Sequence, residues 1–146
     1  MYKHVLISTD GSEVAQKGVD QGLALAKTLG ARVTLITVTE PFPMYASAAG
    51  GWIPAEMGTY DETQKEYADR VLGAVRQAAQ TAGVSVETLH VPNAQPAETI
   101  IETAKSRGCD LIVMASHGRR GLGRLLLGSQ TSEVLSHSSV PVLVVR

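Results

Sequence analysis

Four glycines, Gly118, Gly121, Gly123 and Gly128, fall within 11 residues. Glycine lets a backbone approach a ligand closely and take positive φ. Gly128-Ser129 then opens a helical pattern, and a helix N-terminus offers unpaired N–H groups and partial positive charge to an anion. Ser129, Thr131 and Ser132 add hydroxyl donors. Arg119, Arg120 and Arg124 add three cations, with no acid between Leu111 and Ser132. Phosphate binding accounts for these features together; a solvated loop followed by an ordinary serine cap accounts for them one at a time. Two common phosphate motifs are excluded. Gly118-x4-Gly123 runs into Arg124-Leu125 where a Walker A loop needs Lys-Ser/Thr, and Gly121-x-Gly123 reaches Leu126 where the dinucleotide fingerprint needs a third glycine.

A second cluster is Ser8-Thr9-Asp10-Gly11-Ser12. Asp10 has two readings. With Glu13 three residues on, it resembles a capping box; alternatively it is a carboxylate at a ligand crevice, available to ribose hydroxyls or a metal. The histidines at 4, 90, 117 and 137 show no metal-ligand spacing. His117 alone lies in the glycine segment, where a loop-bracing hydrogen bond is expected. The single cysteine, Cys109, excludes an internal disulfide framework and reads as a core thiol at the start of a buried strand. Trp52 and Tyr60 read as packing or loop anchors, with stacking on an adenine as the alternative. No general base or positioned nucleophile stands out.

The elements that must position these residues alternate between two periods. His4–Ser8 is a short β-type run. Residues 12–29 carry Ala15, Val19, Leu23, Ala26 and Leu29 at helical spacing and stop at Gly30. Arg32–Val38 is rich in β-branched residues and predicts a second strand. Residues 59–82 predict a helix, 84–91 a strand, 96–107 a helix and 110–115 a strand apolar enough to be buried on both faces. A short helix over 129–136 and a strand over 141–145 complete the order βαβαβαβαβ, an α/β fold with a parallel sheet and helices on both faces. The irregular stretch 40–58 is long for a connection and reads equally as a surface insertion or as a lid or partner surface. In such sheets ligands bind beyond the carboxyl ends of the strands, where strand order reverses. The Asp10 and Gly118 segments both follow such ends.

The chain has 146 residues, 44% hydrophobic and 18% charged, which predicts one domain spanning 1–146 and argues against disorder. A net charge of −1 argues against nucleic acid as a general partner. No apolar run approaches the roughly 18 residues of a membrane span. The chain enters a strand-like run at once, so no signal peptide and a cytoplasmic location are expected. Charge is nonetheless divided: residues 40–69 hold six acids against one base, and residues 111–132 hold three arginines and no acid.

These residues together resemble the universal stress protein family in its ATP-binding branch. That branch carries Gly-x2-Gly-x9-Gly-Ser/Thr, here Ala115-Ser116-His117-Gly118, nine residues, then Gly128-Ser129. The resemblance covers the whole chain, including the opening Val-Leu-Ile-Ser-Thr-Asp-Gly-Ser, Pro96-Ala97-Glu98, Cys109-Asp110-Leu-Ile-Val-Met and Pro141-Val-Leu-Val-Val. Ala115 replaces the first glycine; its methyl is tolerated at strand dihedrals and obstructive where φ is positive or where the backbone touches the ribose. The resemblance implies an open five-stranded, Rossmann-like sheet of order 3-2-1-4-5 with the site between strands 1 and 4. Asp10, next to the further candidate site residue Thr9, would face the ribose or the phosphate-bound Mg²⁺, and the Val38 backbone would hold adenine. Met114 and Ala115 would line the ribose side, beside His117. Gly118, Gly121, Gly128, Ser129, Gln130 and Thr131 would cradle the phosphates; Arg119 and Arg120 add mobile cations. ATP with Mg²⁺ is the implied ligand. The family's homodimer through the C-terminal edge strand, residues 140–145, is the implied partner arrangement, and the uncharged sequence of that strand suits it.

Three functions compete. An ATP-binding, dimeric regulator of stress response or signalling, at most a slow ATPase, leads. A nucleotide-independent dimeric scaffold of the same family is the alternative, favoured by Ala115. A phospho-receiver is excluded because the third strand ends in His90-Val91-Pro92-Asn93, with no acceptor Asp. Flavin binding lacks loop aromatics beyond Trp52 and Tyr60.

Overall fold

A computed structural model describes residues 1–43, 54–117 and 126–146, with the backbone alone at 54 and 55. The elements in chain order are β1 (His4–Ser8), α1 (Glu13–Leu29), β2 (Arg32–Val38), α2 (Pro54–Ala82), β3 (Val86–Val91), α3 (Pro96–Ser106), β4 (Leu111–Ala115), α4 (Ser129–His137) and β5 (Val142–Val145). They form one parallel sheet of order β3-β2-β1-β4-β5. This is the expected α/β arrangement. The order reverses at β1, which pairs with β2 on one side and β4 on the other.

The period of two along the central strands sorts their side chains onto two cores. Val5, Ile7, Val33, Leu35 and Val113 face Val19, Leu23 and Ala26 of α1 and Leu72, Val75 and Ala79 of α2. Leu6, Ile36, Ile112 and Met114 face Ala97, Ile100 and Ala104 of α3 and Val134 of α4, with the Cys109 thiol among them. Burial raises the pKa of that thiol, against a hydrogen bond from Thr34. Gly18 draws α1 onto the end of β4: a Cβ there would sit 3.0 Å from the Ala115 nitrogen.

Several boundaries differ from the sequence expectation. Helix α2 starts at Pro54 rather than 59; proline suits a first helical turn, where its missing N–H is no loss. Gly58 therefore lies inside the helix, not in a loop. The helix at 12–29 begins at Glu13, with Ser12 as its N-cap: its Oγ accepts from the Ala15 N–H at 3.1 Å. The capping-box reading of Asp10 with Glu13 is thereby corrected. Val84 and Ser85 precede β3, and Arg107 is the C-cap of α3. Asp110 precedes β4, and its carboxylate accepts from the Lys3 and His4 N–H groups at 2.9 and 3.0 Å. Pro141 precedes β5, and α4 extends one residue to His137. Trp52 and most of the 40–58 stretch lie outside the described residues.

Candidate functional site

The carboxyl ends of β1, β2 and β4 open onto a cleft of about 690 Å³, within the roughly 300–1,000 Å³ usual for small-molecule sites. It sits at the strand-order reversal, where open α/β sheets bind ligands. Of the residues expected at a site, Thr9, Asp10, Val38, Met114, Ala115, His117, Gly128, Ser129, Gln130 and Thr131 all line it. Gly118, Arg119, Arg120 and Gly121 lie outside the described residues.

The β1 side is shaped by a tight turn. The Asp10 Oδ1 accepts from the Ser12 N–H at 2.9 Å, an Asx turn. Gly11 has φ +79°, and the Thr9 Oγ1 accepts from its N–H at 3.1 Å. A Cβ on Gly11 would collide with the Tyr67 hydroxyl and with Val71, so this glycine is required both for its dihedral and for the approach of α2.

At β2 the ladder to β1 runs out at the Ser8–Ile36 pair, whose last bond is Thr9 N–H to the Ile36 carbonyl at 3.0 Å. The next acceptor, the Thr9 carbonyl, is taken by the Thr37 hydroxyl at 2.9 Å. The Val38 backbone thus lies beyond the β1 ladder, at the cleft. Thr39 is bound to the other side: its N–H donates to the Val91 carbonyl at 3.0 Å and its hydroxyl pairs with His90 Nε2 at 3.0 Å. Burial lowers the His90 pKa.

Met114 and Ala115 form the floor and are nearly covered, each 5% exposed. Asn93 is the one non-glycine with positive φ among the described residues. Ala115 therefore has ordinary strand geometry, paired with Val145, and the dihedral condition under which its methyl would obstruct is not met.

The β4 side ends in a helix N-terminus. Gly128 is the N-cap of α4, with φ −60°. Its N–H donates to the Ser116 carbonyl at 2.8 Å, and the first bond within the helix runs from Ser132 N–H to the Gly128 carbonyl at 2.9 Å. The N–H groups of Ser129, Gln130 and Thr131 thus have no partner within the helix, leaving donors and the positive end of the dipole at the cleft. Two side chains expected at phosphates are engaged elsewhere. The Thr131 hydroxyl donates to the Ala115 carbonyl at 2.9 Å, and the Gln130 Oε1 accepts from the Ala97 N–H at 2.9 Å, capping α3. His117 Nδ1 pairs with the hydroxyl of its neighbour Ser116 at 2.7 Å, and its Nε2 is buried without a partner among the described residues.

Helix α2 supplies a wall of which the sequence analysis named only Tyr60. Tyr60, Gln64 and Tyr67 line the cleft. The Tyr67 hydroxyl donates to the Asp10 carbonyl at 2.8 Å and the Tyr60 hydroxyl to the Glu40 carbonyl at 2.9 Å. Tyr60 also meets Phe42 edge-on, with ring centroids 5.3 Å apart, so it is an anchor as expected. Their i, i+4, i+7 spacing puts them on one face of the helix, but Gln64 keeps that face from reading as an apolar stripe. Among the described residues, no group of three His, Cys, Asp or Glu side chains could hold a metal ion, and no helix is long and apolar enough to cross a membrane.

Comparison with known proteins agrees with this architecture. The family model for the universal stress protein family matches residues 1–146. Universal stress protein MJ0531 of Methanocaldococcus jannaschii is 35% identical over 147 residues, covering all of this chain and 83% of that protein. The solved structure of MJ0577, from the same organism, is 29% identical with a TM-score of 0.83, covering 99% of this chain and 96% of that one. A universal stress protein solved in complex with cAMP is 25% identical with a TM-score of 0.70, covering 99% and 97%. This chain belongs to the universal stress protein family.

Proposed function

We propose that residues 1–146 act as one ATP-binding universal stress protein domain, a nucleotide-dependent dimeric regulator of stress response or signalling. The observation that carries this reading is the convergence of unlike groups on one cleft. The Asp10 carboxylate, the Val38 backbone, the Met114-Ala115 floor and the open N-terminus of α4 all line it. A ribose, a base and a phosphate chain need those groups in that order. The relative solved with cAMP supports an adenine nucleotide as the class. Mg²⁺ would arrive with the phosphates, whose charge it neutralises; Asp10 and Glu40 are the carboxylates lining the cleft. Dimerisation would use β5, which pairs with β4 along one edge and leaves Leu143 40% exposed. A switch requires ATP to bind one state of the dimer better than another.

The alternative, a nucleotide-independent dimeric scaffold, draws support from Ala115 at the first motif glycine and from the internal engagement of the Thr131 hydroxyl. One experiment separates them. Small molecules released from the denatured, purified protein are identified by mass, and Mg-ATP binding is measured by calorimetry for wild type and Gly128→Glu. Gly128 has an ordinary φ, so the variant should fold, while its carboxylate would repel phosphate at the α4 N-terminus. Copurified or titrated adenine nucleotide that is lost in the variant supports the regulator. Neither nucleotide nor binding heat in wild type sinks it.

A further inference from the structure

Helix α2 crosses the carboxyl ends of β1 and β2 fixed at two points. Tyr67 holds it to the Asp10 carbonyl at 2.8 Å and Tyr60 to the Glu40 carbonyl at 2.9 Å. These bolts stand two helical turns apart, roughly 10 Å at 1.5 Å per residue. Gln64 lies between them on the same stripe, lines the cleft and is half-buried. A helix pinned at both flanking positions cannot roll Gln64 away without breaking one of them. Its side-chain amide, with donors and an acceptor to satisfy, has no hydrogen-bond partner among the described residues, unlike both tyrosines.

We infer that Gln64 reads the nucleobase, pairing its amide with the N6 and N7 positions of adenine as acceptor and donor together. The inference rests on the proposed nucleotide reading and deepens it. The Val38 backbone stands beyond the ladder with β1, able to take one edge of a base. A base held there from the strand side turns an adjacent edge toward α2. Adenine offers at that edge an amino hydrogen beside an acceptor nitrogen, the pattern a primary amide matches with two bonds. Guanine and hypoxanthine offer two acceptors there, O6 and N7, against which a single amide can make only one good bond, whichever way it is flipped. Gln64 therefore favours adenine.

The test is calorimetry of the full chain with Mg-ATP and with Mg-7-deaza-ATP, in which a C–H replaces N7, for wild type and Gln64→Ala. Thermal melts of the two proteins check that both are folded. The expected result is that wild type binds ATP roughly 5- to 100-fold more tightly than Gln64→Ala does. Wild type should also discriminate against 7-deaza-ATP while Gln64→Ala binds the two nucleotides alike. A merely structural residue would weaken both nucleotides equally and leave their ratio unchanged. If wild type binds ATP and Gln64→Ala either binds it as tightly or keeps the wild-type ratio, the assignment of Gln64 is overturned and the nucleotide reading stands. If wild type binds neither compound, the nucleotide reading fails and takes the assignment with it.

Discussion

The Tyr67 hydroxyl donates to the backbone carbonyl of Asp10 at 2.8 Å, joining residues 57 positions apart in the chain. It ties the wall of the cleft to the turn that carries the Asp10 carboxylate. The bond can be removed without removing the ring. Tyr67→Phe should lower stability by about 0.5–1.5 kcal/mol, the net worth of one such bond, and should weaken Mg-ATP binding because the first half of α2 loses its hydroxyl tie to the Asp10 turn. Urea unfolding gives the first quantity and calorimetry the second. Unchanged affinity alongside the stability loss would mean that Tyr60 alone positions the wall.

Gly11 is coupled to the same contact. Its φ of +79° disfavours any side chain, and a Cβ would collide with the Tyr67 hydroxyl and Val71. Gly11→Ala should cost more than Tyr67→Phe, about 2–3 kcal/mol, from positive-φ strain plus displacement of the tyrosine. In the double variant Gly11→Ala/Tyr67→Phe the clash is partly relieved, so the summed cost should be less than additive. Denaturant midpoints of the four proteins check this; strict additivity would show that Gly11 acts through its dihedral alone.

The sheet was legible because its strands are short β-branched runs punctuated by glycines, Gly30, Gly83 and Gly108, each in the left-handed region. The strand order came from resemblance, since five parallel strands can be wound in more than one order with the same local pattern. The floor and the α4 side of the cleft were legible for the reason that motif residues follow strand ends. The α2 wall was not. Its apolar stripe, Ala68, Leu72, Val75 and Ala79, is clear only in its second half, where the helix meets the sheet. Its first half projects past the strand ends and trades apolar contacts for tyrosine hydroxyl bonds, which no hydrophobic period reports. Hydroxyls and amides were legible as donors but not by destination: Thr131 and Gln130 turn inward to Ala115 and Ala97.

The destination of the Thr131 hydroxyl makes a distinct prediction. Thr131 is 2% exposed, and Thr131→Val keeps its shape while stranding the Ala115 carbonyl. A buried acceptor left unpaired costs about 1–3 kcal/mol. Stability should fall by that amount, while Mg-ATP affinity measured well below the melting temperature should stay within about twofold, since the backbone N–H of Thr131 is retained. A large loss of affinity without a loss of stability would instead place the hydroxyl on the phosphates.

Strand β5 has a partner on one side only among the described residues. Leu143→Lys puts a charge on its exposed apolar position, a device that natural edge strands use against pairing. If the proposed β5 dimer forms, the variant should shift from dimer to monomer in sedimentation velocity with its circular dichroism unchanged. A variant as dimeric as wild type would remove β5 from the interface.

His4 predicts the acid response of the fold. It is 6% exposed, its Nε2 pairs with the Thr34 hydroxyl at 2.8 Å, and its Nδ1 is buried without a partner among the described residues. Burial first, and the Arg32 charge second, hold its pKa below the ordinary 6.5, against the opposing pull of the Arg107 carbonyl, Asp110 and Glu87. The folded state therefore resists a proton that the unfolded chain accepts at 6.5. Above that pH both states are neutral at His4 and the group contributes no slope. As pH falls below it, the unfolded state gains the proton first, and stability drops until the folded pKa is passed. His90, also lowered by burial, acts in the same direction. Asp110 adds a separate window further down. Burial pushes its carboxyl up, but the Lys3 and His4 N–H donors outweigh this and hold it below 3.8, so its contribution is present above 3.8 and is lost only as pH falls through its folded value. His4→Gln has no proton to gain. Its urea midpoint should vary less than that of wild type between about pH 7.5 and 5.5, leaving the slope due to His90, whatever its absolute stability. Equal slopes in the two proteins would show that His4 takes up its proton in the folded state as readily as in the unfolded one.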